Sequence, residues 1–305
     1  MIPYLLFYKI VQLFIVMFIG FILVKAGAVK GSDSKTLSKL ALYVLMPAVL
    51  LNSFDISLTP EIKKGLILAF SAAIIVHLLL FLIDAIYSRL AKASGAERAS
   101  VIYSNAANLI IPIVSFILGD EWVIYTCAFV AVQIIFIWTR GIALFEKSSK
   151  TDIKKIIFNP CILATLIGLA MMISGIRLPS FVKDISSSLG SMVGNVGMFI
   201  AGMLMADVSF KDIFSDKRVY LAVAMRMVVC PFFVLCVLKL ILMLTDIGNA
   251  HNILLITFLA SITPSASMVT QLAQVYNNNE SLAVSINIVS TLMCIVTMPL
   301  FVMLY

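Results

Sequence analysis

The sequence predicts an all-α integral membrane protein of ten transmembrane helices. They are arranged as two five-helix halves of opposite orientation, a 5+5 inverted repeat, with broken, crossed helices at spans four and nine. Three observations predict this. First, 62% of the 305 residues are hydrophobic and 12% are charged, against about 45–50% and about 25% in soluble domains. Second, ten apolar runs follow one another between short polar links, and no strand-type alternation occurs. Third, a proline inside an apolar run recurs at half the chain length: Pro112 in span four and Pro264 in span nine are 152 residues apart.

Span one covers 4–24. The preceding Met1-Ile-Pro-Tyr4 carries no positive charge, the run exceeds the about 7–15 apolar residues of a signal-peptide core, and no A-x-A motif follows. It is therefore expected to stay as a membrane helix. Spans two and three cover 37–54 and 65–88, span four 99–118 and span five 122–144. The longest polar link, Glu146–Lys155, then separates a first half, 1–145, from a second, 156–305. The second half holds spans at 159–175, 186–206, 219–243, 252–275 and 281–304. Adding 152 to the limits of spans one to four lands on spans six to nine. Five helices per half is an odd number, so the second half must insert upside down.

Fifteen lysines and arginines fall in the loops after spans one, three, five and seven, and six on the opposite side. The richer side is expected in the cytoplasm and both termini outside, in a multi-pass plasma-membrane protein. The net charge of +7 is then mostly a topology signal, and no nucleic-acid partner is implied. Cys127, Cys161, Cys230, Cys236 and Cys294 each lie in apolar runs and read as packing residues. His77 and His251 are too dispersed for a metal site. No cofactor motif, P-loop, HExxH, paired intramembrane aspartates or G-x-S-x-G occurs. The chain is expected to be neither an enzyme nor an ATP-driven pump.

The candidate site lies at the two breaks. In Ser104-Asn-Ala-Ala-Asn-Leu-Ile-Ile-Pro112, proline removes the donor for the Asn108 carbonyl and pushes Ile111 out of the α region. A kink or unwinding is expected there. Asn105 and Asn108 share a helix face, with amides suited to the freed backbone or to a substrate. In Ser261-Ile-Thr-Pro-Ser-Ala-Ser267, Thr263 suits an N-cap with Pro264 at the first helical position, followed by Ser265 and Ser267 in the first turn. In an inverted repeat the breaks meet near the midplane and offer two helix N-termini to an anion such as a carboxylate. One membrane proline is commonly a structural kink; two at corresponding positions, flanked by polar residues, favour a site. Elsewhere, Arg226 is accounted for by snorkelling to the inner interface, where Asp84 is also expected. Gln133, Asn195, Gln271 and Asn287 suit either a polar path or interhelical hydrogen bonds. Gly190, Gly194, Gly197 and Gly202 read as close-packing positions.

These residues, taken in order, resemble the auxin efflux carrier family, which includes plant PIN exporters and bacterial malate or organic-acid permeases. The fold of that family is related to bile acid:sodium symporters. The resemblance spans the chain. It rests on Leu45-Met-Pro-Ala48, on Asn105 seven residues before Pro112, and on Leu144-Phe-Glu146. It continues through Asn159-Pro160, Ile167-Gly168, Leu178-Pro179, Leu272-Ala-Gln-Val-Tyr276, Ser290-Thr-Leu292 and Met298-Pro299. The family glycine two before the span-four proline is Ile110 here, and the long cytosolic loop of the plant members shrinks to Glu146–Lys155.

The resemblance implies a secondary transporter of small organic anions working by an elevator mechanism. Spans one, two, six and seven would form a scaffold able to pair into a homodimer, and the other six a mobile domain. Asn105 and Pro112 would lie on one arm of the crossover, Pro264 on the other, and Gln133 near a substrate-contacting position of span five. The coupling ion, proton or sodium, stays open. So do two alternatives: a sodium-coupled symporter of a bulkier anion, and a receptor or scaffold without turnover.

Overall fold

The computed structural model describes residues 2–145, 158–207 and 216–305. The expected link Glu146–Lys155 lies outside the described residues, as does Lys211 of the lysine count. Every regular element among the described residues is helical. In chain order they are α1 (Ile2–Lys25), α2 (Gly31–Ser53), α3 (Pro60–Ala91), α4 (Gly95–Ile102), α5 (Ala106–Ile117) and α6 (Asp120–Phe145). Then come α7 (Pro160–Ser174), α8 (Ser180–Ala206), α9 (Lys217–Met243), α10 (Ala250–Ser261), α11 (Ser267–Val275) and α12 (Glu280–Leu304).

Seven of these, α1, α2, α3, α6, α8, α9 and α12, are long and apolar enough to cross a membrane, so the chain is a multi-pass helical membrane protein. Helices α5, α7 and α10 are equally apolar but only 12, 15 and 12 residues long. Two of the three belong to the stretches that the sequence expects to be broken.

Helix starts follow local chemistry. Thr59 caps α3, its Oγ1 accepting from the Ile62 N–H at 3.3 Å, with Pro60 first in the helix. Ser94 and Glu97 form a capping box on α4, each side chain accepting from the other's backbone N–H, at 3.4 Å and 2.7 Å. Asn159 caps α7 through the amides of Cys161 and Ile162.

Helix α1 buries Leu6, Ile10, Leu13 and Met17 on one face and exposes Phe7, Ile15, Phe18 and Ile22 on the other. Both faces are apolar, which suits a helix touching protein on one side and lipid on the other. It runs along α8 in backbone contact: a Cβ on Gly202 would stand 1.9 Å from the Met17 carbonyl oxygen. Helix α2 packs on α7 and α8, with Gly168 against Phe54 and Gly190 against Val49. These four helices form one group. The others pack around α6, which contacts α3, α5 and α10. Asp84 on α3 is fully buried. It accepts two bonds from Arg98, at 2.9 and 2.7 Å, and one from Arg140 at 3.1 Å, tying α3 to α4 and α6. The groups meet where α8 passes α5. A Cβ on Gly194 would lie 2.6 Å from Pro112 Cγ, and one on Gly197 2.7 Å from the Asn108 side chain.

Asp55, in the turn after α2, ties the end of α2 to the start of α8 within the first group. It accepts from the Leu178 N–H at 3.1 Å and pairs with Lys183 at 2.9 Å and Arg177 at 3.7 Å. Burial raises its carboxyl, but the bonds from Lys183 and Leu178 and the two positive charges outweigh that, leaving it below the usual carboxylate range.

Candidate functional site

Helix α4 ends at Ile102, Tyr103 is extended, and α5 restarts at Ala106. Helix α10 ends at Ser261 and α11 begins at Ser267. The two gaps run antiparallel past each other. The Asn105 N–H donates to the Pro264 carbonyl at 2.8 Å and the Ala266 N–H to the Tyr103 carbonyl at 3.0 Å, forming a short bridge at Ser104 and Ser265. Backbone groups taken out of their own helices thus satisfy each other, which an apolar surrounding demands.

Side-chain amides from the next helices hold each strand-like piece. Gln133 of α6 acts as a backbone mimic for Ser104: its Oε1 accepts from the Ser104 N–H at 2.9 Å and Oγ at 2.6 Å, and its Nε2 donates to the Ser104 carbonyl at 2.8 Å. On α12, Asn287 Nδ2 donates to the Ser265 carbonyl at 2.6 Å, and Ser290 Oγ accepts from the Ser265 N–H at 3.2 Å.

Arg226 of α9 lies across the back of the crossing, fully buried. Its Nε and Nη2 donate to the Thr263 carbonyl at 3.0 and 2.8 Å, and Nη2 also to Ser261 at 2.6 Å. Nη1 reaches Val101 at 3.1 Å and Ile102 at 3.4 Å. These carbonyls belong to the ends of α4 and α10 and to the second gap, where helical donors are missing. Arg226 therefore does not snorkel; it satisfies both broken helices at once.

A cavity of about 90 Å³ opens on the opposite face of the crossing, between the two helix groups. Asn105, Asn108, Gln133, Ser267 and Gln271 line it, with Ser38 of α2 across from them, and no carboxylate is among its lining side chains. The N-terminal turns of both α5 and α11 contribute to the wall. Asn105 makes no side-chain cap on α5; its Oδ1 instead accepts from Asn108 Nδ2 at 3.0 Å. Ser267 Oγ is buried and unpartnered. A wider chamber of about 250 Å³ adjoins through Ser38, Leu42 and Gln271 and is rimmed by Lys35 and Lys39.

Of the residues expected at the site, Asn105, Asn108, Gln133 and Ser267 line the cavity, whereas Pro112, Thr263, Pro264 and Ser265 do not. Pro112 does not break its helix: α5 runs through it, and the gap lies upstream at 103–105. The break is fixed by the bridge and Gln133, while proline costs α5 only one internal bond and seats against Gly194. Pro264 lies within its gap, so the two prolines do not hold equivalent positions. Thr263 is no cap; its Oγ1 donates back to the Ala260 carbonyl at 3.1 Å. Ser265 precedes α11 instead of entering its first turn, because 262–266 are spent on the bridge. Asn195 is exposed on α8 and does not line the cavity. Gln271, one of the residues suited to a polar path, does line the cavity, one turn after Ser267, whereas Ser38 and Ser104 are lining residues that the sequence reading does not single out.

A comparison with curated proteins gives no match. A family profile described as membrane transport protein matches residues 5–152 and again 144–302, nearly the whole chain. The chain belongs to the membrane transport protein family, that of the auxin efflux carriers.

Proposed function

We propose that the protein is a secondary transporter of small carboxylate-bearing anions at the plasma membrane. The observation that carries this reading is the cavity: two helix N-termini and neutral amide and hydroxyl groups face it, no acidic side chain does, and it lies between the two helix groups. Such a wall favours an anion through helix-end charge and hydrogen bonds. Its small volume suits a carboxylate head better than a bulky sterol-like anion.

Counting α4–α5 and α10–α11 as two broken spans, and α7 as one short span, gives ten. The second half then begins at α7 with inverted orientation. In this reading α3–α6 and α9–α12 move as a unit against α1, α2, α7 and α8 and carry the crossing with them, an elevator-type cycle. The lysine-rimmed chamber faces the lysine-rich, cytoplasmic side and is the inward access route.

Counterflow in proteoliposomes across a panel of small carboxylates tests the reading. Ser267→Asp puts a fixed negative charge on the cavity wall and is expected to abolish counterflow while the variant inserts and purifies as the parent does. Absence of counterflow for every carboxylate, or an unaltered Ser267→Asp variant, would falsify the proposal.

A further inference from the structure

The crossing brings together four helix ends of two electrical kinds. The N-terminal ends of α5 and α11 face the cavity; the C-terminal ends of α4 and α10 face away from it, toward Arg226. Each helix end carries about half an elementary charge, positive at the N-terminus and negative at the C-terminus. Left alone, the two C-terminal ends would sum to about −1 and, with their free carbonyls, would offer a place for a cation.

That place is filled from within the chain. Arg226 spends all three guanidinium nitrogens on four carbonyls, three from the ends of α4 and α10 and one from the gap before Pro264. Among the described residues it has no carboxylate partner; the buried acid nearest in role, Asp84, is committed to Arg98 and Arg140. Its single permanent charge matches the about −1 of the two helix ends.

We propose that Arg226 is a tethered counter-ion: it holds the position an alkali cation would otherwise take, so the crossing is complete without a bound ion. The N-terminal ends are then left uncancelled on the cavity side, which biases that side toward anions. The inference builds on the carrier reading above, and it decides against sodium coupling at this place. It makes Arg226 a positioning residue, acting on the substrate only through the two gaps it ties together. Removing it vacates a carbonyl cage and creates a cation site where none exists in the parent.

Thermal unfolding of the purified protein tests this without any substrate, so it can fail while carboxylate transport stands, or stand while transport fails. Melting is compared in choline, sodium, lithium and low-millimolar guanidinium chloride at matched ionic strength. The wild-type protein is expected to melt at one temperature in all four. Arg226→Ala is expected to melt several degrees lower in choline and to recover part of the loss with guanidinium or a small alkali cation, because a ligand specific to the folded state raises stability. Arg226→Lys keeps the charge without the fork and should fall between Arg226→Met and wild type. A sodium-specific gain in the wild-type protein overturns the proposal even if no variant folds. So does an Arg226→Ala variant that melts as wild type or whose loss is the same in every cation, and so does equal loss in Arg226→Lys and Arg226→Met.

Discussion

Asn105 serves the crossing with its backbone and the cavity with its side chain. Its N–H bonds Pro264, while its side-chain oxygen accepts from Asn108. Asn105→Ala keeps the first and deletes the second. In binding assays with a carboxylate that the protein transports, the variant should lose roughly 10–150-fold in affinity, the worth of about 1.5–3 kcal/mol for one hydrogen bond to a charged group. Its melting temperature should barely move; a large drop would mean that the side chain is structural. Ser265 is the counter-case. Its hydroxyl is buried and unpartnered and does not reach the cavity, so Ser265→Ala should transport normally. The difference between these neighbours shows what was legible in the sequence at this scale. Proline, asparagine and serine in apolar runs marked both breaks. Which side chains face the cavity depends on Gln133 and Asn287, 29 and 22 residues from the serines they hold, and spacing along one helix carries no information about that. Arg226 was misjudged for the same reason: nearness to a span end is visible in sequence, and the four carbonyls it bonds are not.

At the scale of elements, each described helix overlaps an apolar run, but α4 with α5 and α10 with α11 share one run apiece, because helices stop where pairing stops them. Proline chemistry placed the first gap at residue 112, whereas the bridge and the Gln133 clamp place it at 103–105. Tertiary bonds to a neighbouring segment override a local preference worth one hydrogen bond. The junction of α2 with α8 allows an element-scale test through Asp55, whose folded-state carboxyl is depressed by its cationic partners. A depressed carboxyl contributes stability above its unfolded value, and the contribution is lost as pH falls through the folded one. Wild-type protein should therefore lose stability on acidification below about pH 4, in melts followed across pH. Asp55→Asn should start lower at neutral pH and show a flatter acid limb. Parallel curves for the two proteins would remove Asp55 as the acid-sensitive tie.

For the whole molecule, lysine and arginine asymmetry predicts both termini outside. A reporter active only in the cytoplasm should be silent when fused after Tyr305 and active in the 146–155 link; the reverse pattern would turn the carrier over and make the Lys35–Lys39 chamber an outward mouth. Helical class and membrane residence were legible in composition and in the apolar runs, since few charges and long apolar runs leave a soluble fold without a surface. The grouping of helices was legible only through the family resemblance, which implies spans one, two, six and seven as one set; apolar patterning cannot give it, because it rests on which apolar faces meet, and apolar faces look alike in sequence. Where the two groups touch, α8 presents Gly194 and Gly197 to Pro112 and Asn108 of α5. Helices ordinarily lock in one register because ridges of side chains sit in grooves. Glycine removes the ridge. Along this stretch Pro112 and Asn108 of α5 sit directly on the α8 backbone, in the space that a side chain at either glycine would fill. In the proposed elevator cycle, a methyl group added to either glycine would wedge the two helix groups apart where they touch and act as a brake.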